Sequence, residues 1–104
     1  MIIQFNTDNH VKGSETKAGA FTEQIKKELN RFSAHLTRIE VHLSDEDGAA
    51  SGPNTKRCKL EARLEGKKPI AVSDNAGSEG QALTGAINKL KSALDTAIGK
   101  SREH

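Results

Sequence analysis

Residues 56–73 read KRCKLEARLEGKKPIAVS, and this stretch decides the fold. From Lys56 to Leu64, apolar and charged side chains alternate, the period of a strand with one face buried. Cys58, Leu60, Ala62 and Leu64 face in, while Arg57, Lys59, Glu61 and Arg63 face out. Glu65-Gly66-Lys67-Lys68 is a turn, and Pro69 to Ser73 returns as a further strand with Ile70 and Val72 inward. Pro69 has no N–H to donate, so it belongs at a strand start or a sheet edge.

The same alternation recurs upstream. Thr37 to Ser44 is a strand with Ile39, Val41 and Leu43 on one side and Arg38, Glu40 and His42 on the other. Ile2 to Thr7 is another, with Ile3 and Phe5 alternating against Gln4 and Asn6. Two stretches change to a helical period. Ala18, Phe21, Ile25, Leu29 and Phe32 share one face after a plausible N-cap at Ser14. Ser78 to Gln81 matches the S-x-x-Q capping box, and Leu83, Ile87, Leu90, Leu94 and Ile98 then mark one face of a long helix. Ala82, Ala86, Ala93 and Ala97 widen that stripe, and Gly99 suits its end. Asp8-Asn9, Lys12-Gly13 and the acidic stretch SDEDGAASGPN are loops by composition.

The expected order is β-α-β-β-β-α, an α+β fold with a four-stranded mixed sheet and two helices packed on one face. Strands one and two, joined through a helix, suit a parallel pair with a right-handed crossover, and the later strands suit antiparallel hairpins. Each strand is apolar on one side only, so the other side of the sheet is expected to be open. One domain over 1–99 is expected, with a frayed tail over 100–104.

Composition removes whole classes of function. The chain has 104 residues, one cysteine, no Trp or Tyr and three Phe, so no internal disulfide or cysteine metal cluster forms and no aromatic stacking site is built. No apolar run is long enough to span a membrane, the N-terminus lacks the pattern of a signal peptide, and the single cysteine fits a reducing compartment; a cytoplasmic location is expected. His10, His35, His42 and His104 lack metal-ligand spacing, and Cys58 is expected in the core rather than as a nucleophile. Asp45 to Gly48 fails as a calcium loop because Lys56 stands where a bidentate Glu is needed. Gly77 to Gly80 opens a helix without a P-loop Lys. Glu40 and Glu61 fall on the open face flanked by Arg and Lys, and read as ladder partners rather than an acid/base pair. No catalytic residue, metal, cofactor or small-molecule substrate is expected.

Charge is uneven instead. Residues 56–68 hold six basic and two acidic side chains, while residues 1–52 hold six basic and eight acidic. Arg57, Lys59 and Arg63 would form a row on the open face, with Lys67 and Lys68 at its end and Arg38 and His42 continuing it. Such a field suits phosphate, although outward Lys and Arg also serve solubility and blunt sheet edges. Any nucleic acid would be held through its backbone and shape.

The order of elements, together with Phe5 to Val11 (FNTDNHV), Val41 to Ser44 (VHLS) and the pattern A-L-x-x-A-I-x-K-L-x-x-A-L from Ala82 to Leu94, resembles the ribosome hibernation factors, also called sigma-54 modulation proteins. This family includes the hibernation promoting factor and ribosome-associated inhibitor A. The resemblance covers roughly residues 1–98 and is to the short forms. It implies a non-enzymatic factor, expected here as a monomer. Such a factor sits on the small ribosomal subunit, contacts 16S rRNA phosphates and silences translation under stress by occupancy. Lys89 matches the family's lysine on the second helix, and Arg57, Lys59 and Arg63 lie on a strand often basic there. Arg38, Lys67, Lys68 and Lys91 join them on local charge alone. The second helix is less basic than in the family and the 45–47 loop is acidic, which keeps open a protein-binding module of the same fold.

Overall fold

A period of two over the strands and of three and four over the helices puts every run of large apolar side chains on one side of its element. The computed structural model describes residues 1–7, 14–45 and 56–102. Residues 8–13, 46–55 and 103–104, and the side chains of 7, 14–17, 45 and 100–102, lie outside the described residues, and so do the readings made of them, the N-cap at Ser14 included.

The elements run β1 (Ile2–Thr7), α1 (Ser14–Leu29), a 3₁₀ turn (Asn30–Phe32), β2 (Leu36–Asp45), β3 (Lys56–Leu64), β4 (Ile70–Ala76) and α2 (Glu79–Arg102). The strands form one sheet in the order β1-β2-β3-β4. β1 runs parallel to β2, and β2–β3 and β3–β4 are antiparallel. This is the α+β, mixed-sheet fold expected from the alternation.

The inward side chains Ile39, Val41, Leu43, Cys58, Leu60, Ala62 and Leu64 are buried together with Ile25, Leu29, Leu83, Ile87, Leu90, Leu94 and Ile98 of the helices. Ile3, Phe5, Phe21, Ile70 and Val72 pack at the margin of this cluster. All three Phe therefore serve the core side, Phe5 stacking on Phe21 at 6.5 Å and Phe32 buried in the 3₁₀ turn. Burying each large side chain stabilises the fold by about 1.5–3 kcal/mol before conformational entropy is counted.

Three boundaries differ from expectation. β2 is one residue longer at each end than Thr37–Ser44. β4 starts at Ile70, leaving Pro69 outside, and continues three residues past Ser73 to Ala76. Ser73-Asp74-Asn75 has the composition of a turn, but Asn75 and Asp74 pair with Arg57 and Cys58 of β3. Asp74 points toward α2, where it fits because Gly85 has no side chain. A Cβ at Gly85 would stand 1.7 Å from Asp74 Oδ2. Gly99 does not end α2, which continues to Arg102. Among the described residues only Gly66, with φ of 75° in the β3–β4 turn, takes the left-handed conformation that needs glycine. At the other end of α2 the capping serine is in place: the Gln81 N–H donates to Ser78 Oγ at 3.2 Å.

Candidate functional site

The uncovered side of the sheet is built by cross-strand register. Ile2, Arg38 and Arg63 form one rung; Gln4, Glu40, Glu61 and Ala71 the next; Asn6, His42, Lys59 and Ser73 the third; Ser44, Arg57 and Asn75 the fourth. None of these side chains is buried, and no described element lies over them.

Between β2 and β3, like stands opposite like. Arg38 faces Arg63, Glu40 faces Glu61, and His42 faces Lys59. Like charges directly opposite each other destabilise a sheet, and opposite charges stabilise it. A face with Arg directly across from Glu would gain from each such pair. This one is banded across the strands instead: basic, acidic, basic, with Arg57 adding to the last band.

Diagonal contacts offset part of the cost. Arg38 Nε and Arg63 Nε lie 3.4 and 3.7 Å from Glu40 Oε2, and His42 Nε2 lies 3.6 Å from Glu40 Oε1. The Arg38 Nε contact is an ion pair without hydrogen-bond geometry. Arg38 also donates from Nη2 to the side-chain oxygen of Gln4. Glu40, with a side chain only 15% exposed, is thus flanked by two guanidiniums and the His42 ring, whereas Glu61 has no ion-pair partner among the described residues. One ligand-type atom each from Glu40, His42 and Glu61 fall within 4.8 Å of one another. Spacing in sequence does not show this trio, because strand pairing assembles it. A divalent ion there would have to displace two guanidiniums from Glu40, so the set suits internal neutralisation better than metal binding.

The residues expected to contact RNA divide by location. Arg38, Arg57, Lys59 and Arg63 come together on the open face, and Lys67 and Lys68 are exposed in the turn that leaves β3. Lys89 and Lys91 do not join them. Lys89 Nζ donates to the Ser73 carbonyl at 2.9 Å and to Asp74 Oδ1 at 3.1 Å, closing the edge of β4. Lys91 pairs with Glu28 across the two helices, and that contact holds the Glu28 carboxyl below the usual range. Arg31 grips Asp95 with two hydrogen bonds of 2.8 and 3.0 Å, which lowers the Asp95 pKa and raises that of Arg31. Cys58 is buried as expected, and burial, with the Asp74 charge second, pushes its thiol up to about 12, far from nucleophilic use.

No family model matches the chain, and no curated protein matches it in sequence. Solved structures do match. The N-terminal domain of Protein Y from Thermus thermophilus superposes with a TM-score of 0.70 at 17% identity, covering 92% of this chain and 98% of that one. A ribosomal subunit interface protein from Coxiella burnetii gives a TM-score of 0.70 at 18% identity, covering 95% of this chain and 99% of the other. This chain has their fold over nearly its whole length, so the resemblance drawn from the sequence holds at the level of the fold. Among the described residues, no helix is long and apolar enough to cross a membrane.

Proposed function

We propose that this chain is a non-enzymatic, ribosome-associated translation-silencing factor. In this proposal it acts as a monomer in the cytoplasm and docks the open face of its sheet on 16S rRNA of the small subunit. The observation that carries the proposal is the uncovered face itself. Arg38, Arg57, Lys59 and Arg63 share it, and Arg38 stands directly opposite Arg63, a pairing that disfavours the isolated domain. Phosphates entering between facing cations would relieve that repulsion on binding. The likeness to a ribosomal subunit interface protein supports the choice of polyanion. Silencing would follow from occupancy: a rigid domain seated where translation ligands bind excludes them, with no bond made or broken.

Lys67 and Lys68 extend the contact from the turn. Lys89 and Lys91, committed to Asp74 and Glu28, are left to hold α2 in place. Those same pairings lower the free charge of the helical side and favour the second reading, a protein-binding module of this fold. Co-sedimentation separates the two. Tagged protein from starved cells is expected to travel with small subunits and to be stripped by salt, and the triple change Arg57→Glu, Lys59→Glu, Arg63→Glu is expected to move it to the top of the gradient while still folded. Absence from the ribosomal fractions would leave the protein-module reading, and retention by the triple variant would remove these residues from the interface.

A further inference from the structure

The acidic band in the middle of a phosphate-binding face is the feature that polyanion binding alone does not use. Glu40 is paired with Arg38 and Arg63, but Glu61, directly opposite it and half-buried, keeps a free acceptor. A carboxylate repels phosphate. The group it takes from a nucleic acid is a donor: a 2′-hydroxyl or a base amino group.

The spacing of the bands narrows the ligand. The Arg38/Arg63 rung and the His42/Lys59 rung are four residues apart along the strands, roughly 13 Å at about 3.3 Å per residue. A ligand that fits presents two rows of phosphate with hydrogen-bond donors between them, on a surface shallow enough to meet a sheet. The minor groove of A-form RNA has this form: wide, shallow and lined with 2′-hydroxyls between its phosphate ridges. The minor groove of B-DNA is narrow and lacks the hydroxyl. A single strand offers one row of phosphate and unstacked bases, and every Phe of this chain lies on the core side.

Resting on the polyanion reading above, we propose that the open face recognises the minor groove of duplex RNA. The basic rungs hold the two phosphate ridges, and Glu61 accepts hydrogen bonds from 2′-hydroxyls, so that it selects RNA over DNA. Glu61 is then a specificity residue that lowers overall affinity for polyanions while raising discrimination.

The test measures affinity for four probes at one salt concentration: an RNA hairpin duplex, the DNA hairpin of the same sequence, the 2′-O-methylated RNA hairpin and an unstructured RNA strand. Wild type is expected to prefer the RNA hairpin to the DNA hairpin by about tenfold or more, the worth of one hydrogen bond to a charged acceptor. It is expected to treat the methylated hairpin like DNA and to bind the single strand more weakly than the RNA hairpin. Glu61→Ala is expected to tighten DNA binding and bring RNA and DNA to equal affinity, whereas Glu61→Gln, which keeps an acceptor oxygen, retains part of the preference. Equal wild-type affinity for RNA and DNA, preference for the single strand, or a preference untouched by Glu61→Ala overturns the inference and leaves phosphate docking standing. Failure to bind any probe overturns both.

Discussion

The two sides of this sheet arrange charge differently. On the helical side ion pairs tie separate elements together: Asp74 with Lys89, Glu28 with Lys91, Arg31 with Asp95 and Lys56 with Glu79. On the open side, arginine faces arginine and glutamate faces glutamate across β2 and β3. Glu28–Lys91 and Arg31–Asp95 join helical elements that strand register does not set, whereas the facing pairs of the open side follow from the register of β2 against β3. On the open face the unlike contacts run diagonally, from Arg38 and Arg63 to Glu40, instead of straight across the strands.

The largest expected effect contrasts neighbours on β3. Leu60→Ala, on the helical side, should cost about 2–5 kcal/mol in denaturant unfolding, because a fully buried side chain leaves a cavity. Lys59→Ala, one residue away on the open side, should stay within about 0.5 kcal/mol. Equal costs would erase the distinction between the two sides.

Next is the fit of Asp74 against Gly85. Gly85→Ala sets a methyl group on the Asp74 carboxylate and should destabilise by about 1–3 kcal/mol. Asp74→Ala in the same chain should recover most of that loss, and additive losses in the double variant would show that the two positions do not meet.

A smaller effect of opposite sign is expected on the open face. Glu61→Gln removes the like charge opposite Glu40 and should raise stability by about 0.2–1 kcal/mol. A loss would mean that Glu61 is paired within the fold.

The smallest effect appears only in acid. Asp95 and Glu28 titrate below their usual range in the folded chain because Arg31 and Lys91 hold them ionised. Their contribution is present above the unfolded carboxylate range, roughly pH 4, and is lost as pH falls through the lower folded values. Unfolding curves of Asp95→Asn and Glu28→Gln should therefore converge on wild type at low pH and separate from it near neutrality. A gap that persists in acid would contradict the assignment.

Most of the fold is legible in the sequence, because one-sided alternation fixes which face of each strand is buried and the cap at Ser78 fixes where α2 begins. Two features are not. The length of β4 depends on Gly85 making room for an inward Asp74, a contact between residues eleven apart that no local pattern encodes. The charge bands depend on the register of β2 against β3. The alternation within each strand is unchanged by a shift of two, yet such a shift would cross Arg63 with Glu40 instead of Arg38. The cationic row on β3 reads directly from residues 57–63. The commitment of Lys89 and Lys91 to acidic partners on other elements does not, since helix periodicity places a lysine on a face without naming what meets it there.

The central claim is that the open face docks by displacing counterions from phosphate. Titration of the protein onto purified small subunits over 50–200 mM salt tests it directly. If about four phosphates are met by Arg38, Arg57, Lys59 and Arg63, log affinity should fall against log salt with a slope of about −3 to −4, and the triple Glu variant should bind too weakly to measure. A flat salt response, or a triple variant with wild-type affinity, would contradict it.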